Sequence, residues 1–504
     1  MSICTRLAGL ASAFVSLNSF AASAPVAFYT DLDSAPNGAF VTVWGKAFGT
    51  TAGTVSVGSA VASGSDIITW SDSKIELKLP IGAGNGIAVR NVQGSSNTLP
   101  FTTRATGRIF YVSTATGNNA NAGTSAASPW KDLTAIMPNV KGGDVVYVRA
   151  GVYTELQDTG WGASILVRPE NSGSPGMPVA VVAYPGESVT LGSGSNRRAF
   201  YTSAYVTDWT FAKFKVAAYE TAVGGTGARI RIVGNSASNI ASPYGTFEFT
   251  ASDQLSILGN GCTGCGAQGN KLAHSYYYGG YGAGSAVEIA WNTSVNQQGG
   301  RGIQIYGHTA TDSLTGLSIH DNTISGTPYD CILVGLSDAT TDNWIRDAVV
   351  YNNVVSNCGA AGIQINNPGM SVRVLHNTVY NAANGLNLVA AGTTEVANNI
   401  FANAKSQAIG TSPSLSVSNN GYSAVTVPAA EKVPVVGDPL FVNAAAGDFS
   451  LGTTSPFLGK GKVLSPALPT VSVPTMVAPD LGAVGWKSAT AVIAPKAPQT
   501  LTVN

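Results

Sequence analysis

The chain has 504 residues, with 27 Lys and Arg balanced by 27 Asp and Glu, and only 11% of its residues are charged, against about 25% in ordinary soluble domains. A zero net charge argues against a nucleic-acid partner, because neutralising phosphates requires an excess of Lys and Arg on some face. No stretch beyond the N terminus approaches the roughly 20 apolar residues needed to span a bilayer, so no membrane partner is expected.

Residues 1–21 carry Arg6 and an apolar run from Leu7 to Val15, and end among the residues Ser19-Phe20-Ala21-Ala22. This is the order of a cleaved secretory signal, so the expected location is outside the cell or in the periplasm. Export permits disulfides, and four cysteines remain after the signal: Cys262, Cys265, Cys331 and Cys358. Their pairing is open at this stage, and a single CxxC without a second pair is weak evidence for zinc.

Residues 22–104 alternate short β-rich runs with turns, as in Ala39-Phe-Val-Thr-Val-Trp-Gly45, Gly53-Thr-Val-Ser-Val-Gly58 and Lys74-Ile-Glu-Leu-Lys-Leu-Pro80. This spacing predicts a small β-sandwich. Through its Val-Trp-Gly-Lys-Ala-Phe-Gly stretch and the closing Gly86-Ile-Ala-Val-Arg-Asn91, the segment resembles immunoglobulin-like IPT/TIG modules, which bind or space and carry no chemistry here.

Residues 105–486 read as a second unit. It opens at Arg108-Ile-Phe-Tyr-Val-Ser113 and passes through Ser128-Pro-Trp-Lys-Asp-Leu133 to Gly142-Gly-Asp-Val-Val-Tyr-Val-Arg-Ala-Gly-Val-Tyr-Thr-Glu155. These runs resemble the entry coil of secreted parallel β-helix proteins of the pectate lyase-like superfamily. The resemblance implies a short capping helix at Trp130–Met137, which would cover the apolar interior and unpaired strand groups of the first coil.

An internal repeat supports the same fold. Short apolar runs ending in Asn recur at Asn235, Asn292, Asn322, Asn353, Asn377, Asn399 and Asn420, at intervals that shorten toward the C terminus. A second run follows several of them: Gly302-Ile-Gln-Ile-Tyr306, Cys331-Ile-Leu-Val-Gly335, Gly362-Ile-Gln-Ile-Asn366 and Gly385-Leu-Asn-Leu-Val389. Repeated short strands with inward Ile, Leu and Val describe a solenoid, and inward Asn side chains can bond one another along the stack. The expected fold is therefore all-β: a right-handed parallel β-helix preceded by an immunoglobulin-like β-sandwich. Asp448-Phe-Ser-Leu-Gly452, Ser455-Pro-Phe-Leu458 and Asp480-Leu-Gly-Ala-Val-Gly-Trp486 resemble a closing segment, and 487–504 is an Ala/Pro/Thr-rich tail.

Function must then be argued from outward side chains on adjacent coils, about 4.8 Å apart. Alignment of the second runs puts Gln304, Leu333, Gln364 and Asn387 in one column and Tyr306, Gly335 and Asn366 in the next, with Arg301 and Asp330 at equivalent earlier positions. The richest patch joins Lys271, His274, Tyr276, Tyr277, Tyr278 and Tyr281 to Arg301, Gln304, Tyr306 and His308, and holds two of only four histidines. Aromatic faces stack on sugars, Arg holds carboxylates, and His, Tyr or Lys can move a proton.

That set suits a polysaccharide lyase acting on a uronate-containing glycan by β-elimination. Arg301 and His308 lead the expected catalytic set with Lys271, His274 and Tyr278; Tyr276, Tyr277, Tyr281, Gln304, Tyr306, Asp330, Gln364 and Asn366 form the expected substrate surface. The resemblance also leaves calcium open as a cofactor, although these columns carry Gln and Asn where calcium-dependent relatives show clustered acids. A glycoside hydrolase would instead need paired carboxylates, for which Asp330, Asp321, Glu288 and Asp338 are available. A non-catalytic glycan-binding or adhesin protein would show a uniformly polar flank. Each site residue also has a plain structural reading: a Tyr-rich loop covering the stack, an Arg301–Asp330 surface pair, and His320 and His376 as turn residues beside the ladder.

Overall fold

The computed structural model describes residues 24–155, 157–158, 164–192, 198–217, 221–337, 344–367, 369–389, 392–410, 415–466, 468 and 478–483. The segments 1–23 and 484–504, which contain the expected signal and tail, and Asp338 lie outside these residues.

Runs of alternating β-branched residues stack, coil upon coil, into one continuous sheet that has 31 strands among the described residues, wound in three rows, as the repeat predicts. The chain is all-β and its main body is a right-handed parallel β-helix. Strands such as Ser256–Leu258, Ala283–Ala290 and Ser313–His320 form the first row. After a turn, Gly261–Thr263, Thr293–Val295 and Thr323–Thr327 form the second. The third contains Gly245–Thr250, His274–Gly279, Ile303–Gly307 and Ile332–Ser337. Equivalent residues stay in register: Ile257 pairs with Ile289, Ile289 with Ile319, and Ile319 with Val350. All four are fully buried in one core running down the axis.

The asparagine ladder joins the first and second rows. Each side chain donates from Nδ2 to Oδ1 of the next, one coil on, from Asn235 through Asn260, Asn292, Asn322, Asn353, Asn377 and Asn399 to Asn420. The ladder member in the coil before Asn292 is Asn260, in Ile257-Leu-Gly-Asn260, a position the repeat alignment passes over. The intervals from Asn353 onward are 24, 22 and 21 residues, so coils shorten as loops are lost. Both cysteine pairs are disulfides: Cys262–Cys265 closes a four-residue ring and Cys331–Cys358 joins adjacent coils.

The first coil is covered by a helical turn at Leu133–Ile136 and a 3-10 turn at Met137–Asn139, while Trp130 stacks on Phe110 with ring centres 4.4 Å apart. The N-terminal segment is a sandwich of two four-stranded antiparallel sheets. Its buried Val41, Val43, Ile75 and Leu77 face Val55, Val57, Ile87 and Val89. This sandwich packs against the outside of the first row on Tyr147, Ala180, Val182, Ala212 and Val233. The Tyr147 hydroxyl accepts from Phe40 N at 2.7 Å and donates to Phe40 O at 2.8 Å. Lys213 lies 3.3 Å from Asp31 and 3.5 Å from Glu76 of the sandwich.

The closing segment runs back along the flank of the stack. Phe457 and Leu481 cover Ile400, and Leu464 and Leu468 cover Tyr351, Leu375 and Ala397. Among the described residues no helix is long and apolar enough to cross a membrane.

Candidate active site

Alternation along the third row decides which residues of the tyrosine run face outward. In His274–Gly279 Tyr277 lies on the outer side of the strand, covered to 7% exposure, whereas Tyr276 and Tyr278 pair with Phe247 and Phe249 on one side and Ile303 and Ile305 on the other. Both belong to the axial core, at 0% and 1% exposure. Tyr276 donates to the carbonyls of Asn260 and Thr293, and the Tyr278 hydroxyl contacts the Ser252 backbone. Burial pushes the Tyr276 phenol well above its usual range and that of Tyr278 up to about 12. The expected substrate role of Tyr276 and catalytic role of Tyr278 are therefore corrected: a period of two sends neighbouring tyrosines to opposite faces.

The outward column is as aligned, with Tyr277, Gln304, Leu333, Gln364 and Asn387 in register. One coil before Tyr277 it carries Glu248, which the sequence reading did not single out. The second column shifts, because Gly335 adopts a left-handed φ of 99° and bulges, so that Tyr306 pairs with Leu336.

Along the outer surface of this coil a connected strip is built. The His274 ring stacks on Tyr277 at 5.4 Å. The Tyr277 hydroxyl meets Nε2 of His308 at 2.5 Å. The His308 ring then stacks on Tyr281, centres 4.1 Å apart and planes 12° from parallel, with Tyr306 5.0 Å away. Tyr281 is 58% exposed, so the strip ends in an open aromatic face. Tyr281 turns the chain with a left-handed φ of 54°, leading into Gly282.

Asp312 holds the two turns that carry the stacked pair. Its Oδ2 accepts from the amides of His308 at 2.6 Å and Thr309 at 3.0 Å, and its Oδ1 from the Gly282 amide at 2.8 Å and from the Thr309 hydroxyl. Burial works against the Asp312 carboxylate, but these donors keep its pKa below the usual range. A Cβ on Gly280 would lie 1.9 Å from Asp312 Oδ2, so glycine at 280 lets the carboxylate reach between coils.

At the other end of the strip, Arg301 donates from Nε to Asp330 at 2.9 Å and from Nη1 to Gln304 at 2.7 Å. Asp330 also accepts from the Ala361 amide at 3.0 Å. The across-coil pairing read from the sequence is thus present, and Asp330 and Gln304 are each 3% exposed. Their role is to hold the Arg301 guanidinium from beneath, which corrects the expectation that they line the substrate surface.

His274 is 2% exposed and accepts the Arg301 amide at Nδ1. Burial, with Arg301 beside it, lowers its pKa to about 3, so it remains neutral and serves the strip as a stacking support. It is corrected as a proton-transfer candidate. Lys271 is exposed in the turn leading into His274–Gly279. Asn270, just before it, bonds Pro243 O and the Leu272 amide and is outside the ladder. Gln364 and Asn366 are half-buried two coils beyond Gln304.

The carboxylates named for a hydrolase lie apart from the Tyr277–His308 strip or beneath it. Asp330 is buried under Arg301, and Glu288 and Asp321 sit on the first row, bonded to His320 at 3.1 and 2.7 Å. Asp338 lies outside the described residues. Among the described residues no three His, Cys, Asp or Glu side chains converge to hold a metal ion.

A family model described as a right-handed β-helix region matches residues 255–421. A cyclomaltodextrin glucanotransferase of Bacillus sp. (strain 17-1) is 37% identical over 79 residues, which is 15% of this chain and 11% of that protein. The chain thus spans about a tenth of the length of the curated relative it matches. Among solved structures, pectate lyase Pel9A is similar at 17% identity and a TM-score of 0.42, covering 75% of this chain and 96% of that one. The lacto-N-biosidase of Eubacterium ramulus is similar at 14% identity and a TM-score of 0.38, covering 65% of each chain.

Proposed function

We propose that this protein is a secreted polysaccharide lyase that cleaves a uronate-containing glycan by β-elimination at the Arg301–Tyr277–His308 strip. The observation that carries the reading is the Tyr277–His308 contact of 2.5 Å, set between an exposed aromatic face and a supported arginine.

In β-elimination a proton leaves the carbon next to the uronate carboxyl group and the neighbouring glycosidic carbon–oxygen bond breaks. His308 takes that proton, and the electron pair becomes the new carbon–carbon double bond. Tyr277 gives its hydroxyl proton to the departing oxygen. The proton on His308 then passes to the Tyr277 phenolate across their hydrogen bond, which restores both groups. Arg301 faces the carboxylate as negative charge spreads onto it, and its rigid support by Asp330 and Gln304 avoids reorganisation during the reaction. Tyr281 and Tyr306 offer ring faces to the sugars. No step is routed through calcium.

The test is to incubate the mature protein with uronate-containing and neutral glycans and follow ultraviolet absorbance and reducing ends together. Absorbance from the new double bond is expected, with His308→Ala lowering kcat by about 10²–10⁴ and Arg301→Ala by about 10²–10³. Reducing ends without absorbance would replace this reading with hydrolysis, and neither signal across the panel would leave a binding protein.

A further inference from the structure

Another arginine stands on the face of the strip, nearer the N-terminal end of the β-helix. Followed in that direction, the outward column of Gln304 and Tyr277 passes Glu248 and Gly224 to reach Tyr201. Arg198 precedes Tyr201 by the same interval at which Arg301 precedes Gln304 and His274 precedes Tyr277. It therefore stands in the column of Arg301, four coils away, or about 19 Å along the axis. Both Arg198 and Tyr201 are half-buried, and the guanidinium carbon lies 3.7 Å from the centre of the Tyr201 ring. Such stacking occupies the flat face of the guanidinium and leaves its N–H edge for a planar anion. Among the described residues no carboxylate pairs with Arg198, whereas Arg301 is paired with Asp330.

The stretch between the two arginines is built for a chain to lie along it. A Cβ on Gly224 would lie 2.3 Å from the Glu248 carbonyl oxygen and 3.3 Å from the edge of the Tyr201 ring, so glycine keeps the floor low beside the ring. Exposed tyrosines edge it. Tyr205 lies on the same flank as Tyr281, three coils before it, with its hydroxyl donating to Asp253 at 3.0 Å, and Tyr244 lies on the opposite flank. Toward the C terminus the column continues as Leu333, Gln364 and Asn387, which carry no charge to hold a carboxylate.

Building on the lyase reading, we infer that the Arg198–Tyr201 pair is a second uronate subsite, and that the substrate chain runs from the strip across Gly224 toward the N-terminal coils. The edge of the Arg198 guanidinium takes a sugar carboxylate with paired hydrogen bonds, and the Tyr201 ring holds that edge in position. Between the two arginines the sugars are met by aromatic rims.

A pyranose unit is close to one coil rise in length, so chain length tests the subsite. The probes are oligosaccharides of alginate, polygalacturonate and chondroitin: disaccharides and trisaccharides, which fall short of four coils, and octasaccharides, which span them. Calorimetry in the His308→Ala background, which leaves the chains uncut, measures binding, and absorbance in the active protein measures cleavage. Arg198→Gln is expected to weaken octasaccharide binding and raise the octasaccharide KM about tenfold, through loss of a charge-assisted contact. The kcat should hardly change, because the subsite is remote from the reacting bond, and the short chains should be unaffected. Arg198→Lys keeps the charge but not the planar fork, so a smaller loss confined to the same long chains is expected, and this variant decides the matter if Arg198→Gln fails to fold. An equal effect on short and long chains, or no effect on either, overturns the inference while absorbance still upholds the lyase. A length-dependent loss of binding without any absorbance upholds the subsite and removes the lyase. Absence of binding and cleavage with every probe overturns the two together.

Discussion

Asp312 fixes the position of His308 without belonging to the reacting groups. Its two oxygens tie the backbone on either side of the Tyr281–His308 stack, so losing the charge slackens both turns at once. Asp312→Asn replaces one acceptor with a donor that faces amide N–H groups. Under the lyase reading, kcat is expected to fall about tenfold to a hundredfold, because small misplacements of a proton-transferring ring are costly. KM should change less, and circular dichroism should show the β-helix intact. A fall in melting temperature with kcat unchanged would make Asp312 a purely structural turn residue. Glu in its place is one methylene longer under Gly280 and should rescue only in part.

The ladder and the strip show how an element acquires a property that none of its residues has. Asn353 is fully buried and bonds Asn322, Asn377 and the carbonyls of Ile319 and Tyr351. Asn353→Ala leaves several of these groups without partners, at about 1–3 kcal/mol for each one that remains buried and unsatisfied. Chemical denaturation should show a loss of that order. Asn352→Ala, one residue away with a half-buried side chain, should cost less. Equal losses at 352 and 353 would argue against the ladder as the stabilising device. The alternation along the third row sends Tyr276 and Tyr278 into the core and turns Tyr277 to the outer side of the strand, where it is covered to 7% exposure. Counting two residues per period from Ile303 and Ile305 would have found this, but the run of three tyrosines hides the register.

Across the whole molecule, His320 sits where the N-terminal sandwich and the closing segment both meet the stack. Its ring stacks on Tyr351, which Leu464 and Leu468 cover, and it meets the edge of Trp291, which packs on Phe28 and Tyr29. Burial by itself lowers the pKa of His320, but bonds to Asp321 and Glu288 outweigh it and raise the value to about 9. A base whose folded pKa exceeds its unfolded value of about 6.5 stabilises fully below that lower value. The contribution disappears as pH rises through about 9. The melting temperature is therefore expected to fall between about pH 7 and pH 10, and His320→Gln should flatten that slope. His274 works in the opposite sense, since its folded pKa of about 3 makes stability fall as pH drops below about 6.5. A slope unchanged in His320→Gln would show that other groups set the alkaline limit.

The amino-acid sequence by itself determined the class of fold. The spacing of Asn353, Asn377, Asn399 and Asn420, the alternating Ile and Val runs, and the low charge are local, periodic signals that only stacked strands satisfy. It also brought Arg301 next to Asp330 and lined up Gln304, Leu333, Gln364 and Asn387, because a repeat converts counting along the chain into neighbours in space. Only the tertiary structure decided which members of that alignment are buried and which partners they take. Arg301 draws Gln304 and Asp330 beneath it, His274 is sealed under Tyr277, and Glu248 enters from a coil whose repeat the sequence does not mark. Burial, side-chain direction and the path of the closing segment depend on contacts between residues far apart in the chain, and no periodicity records them.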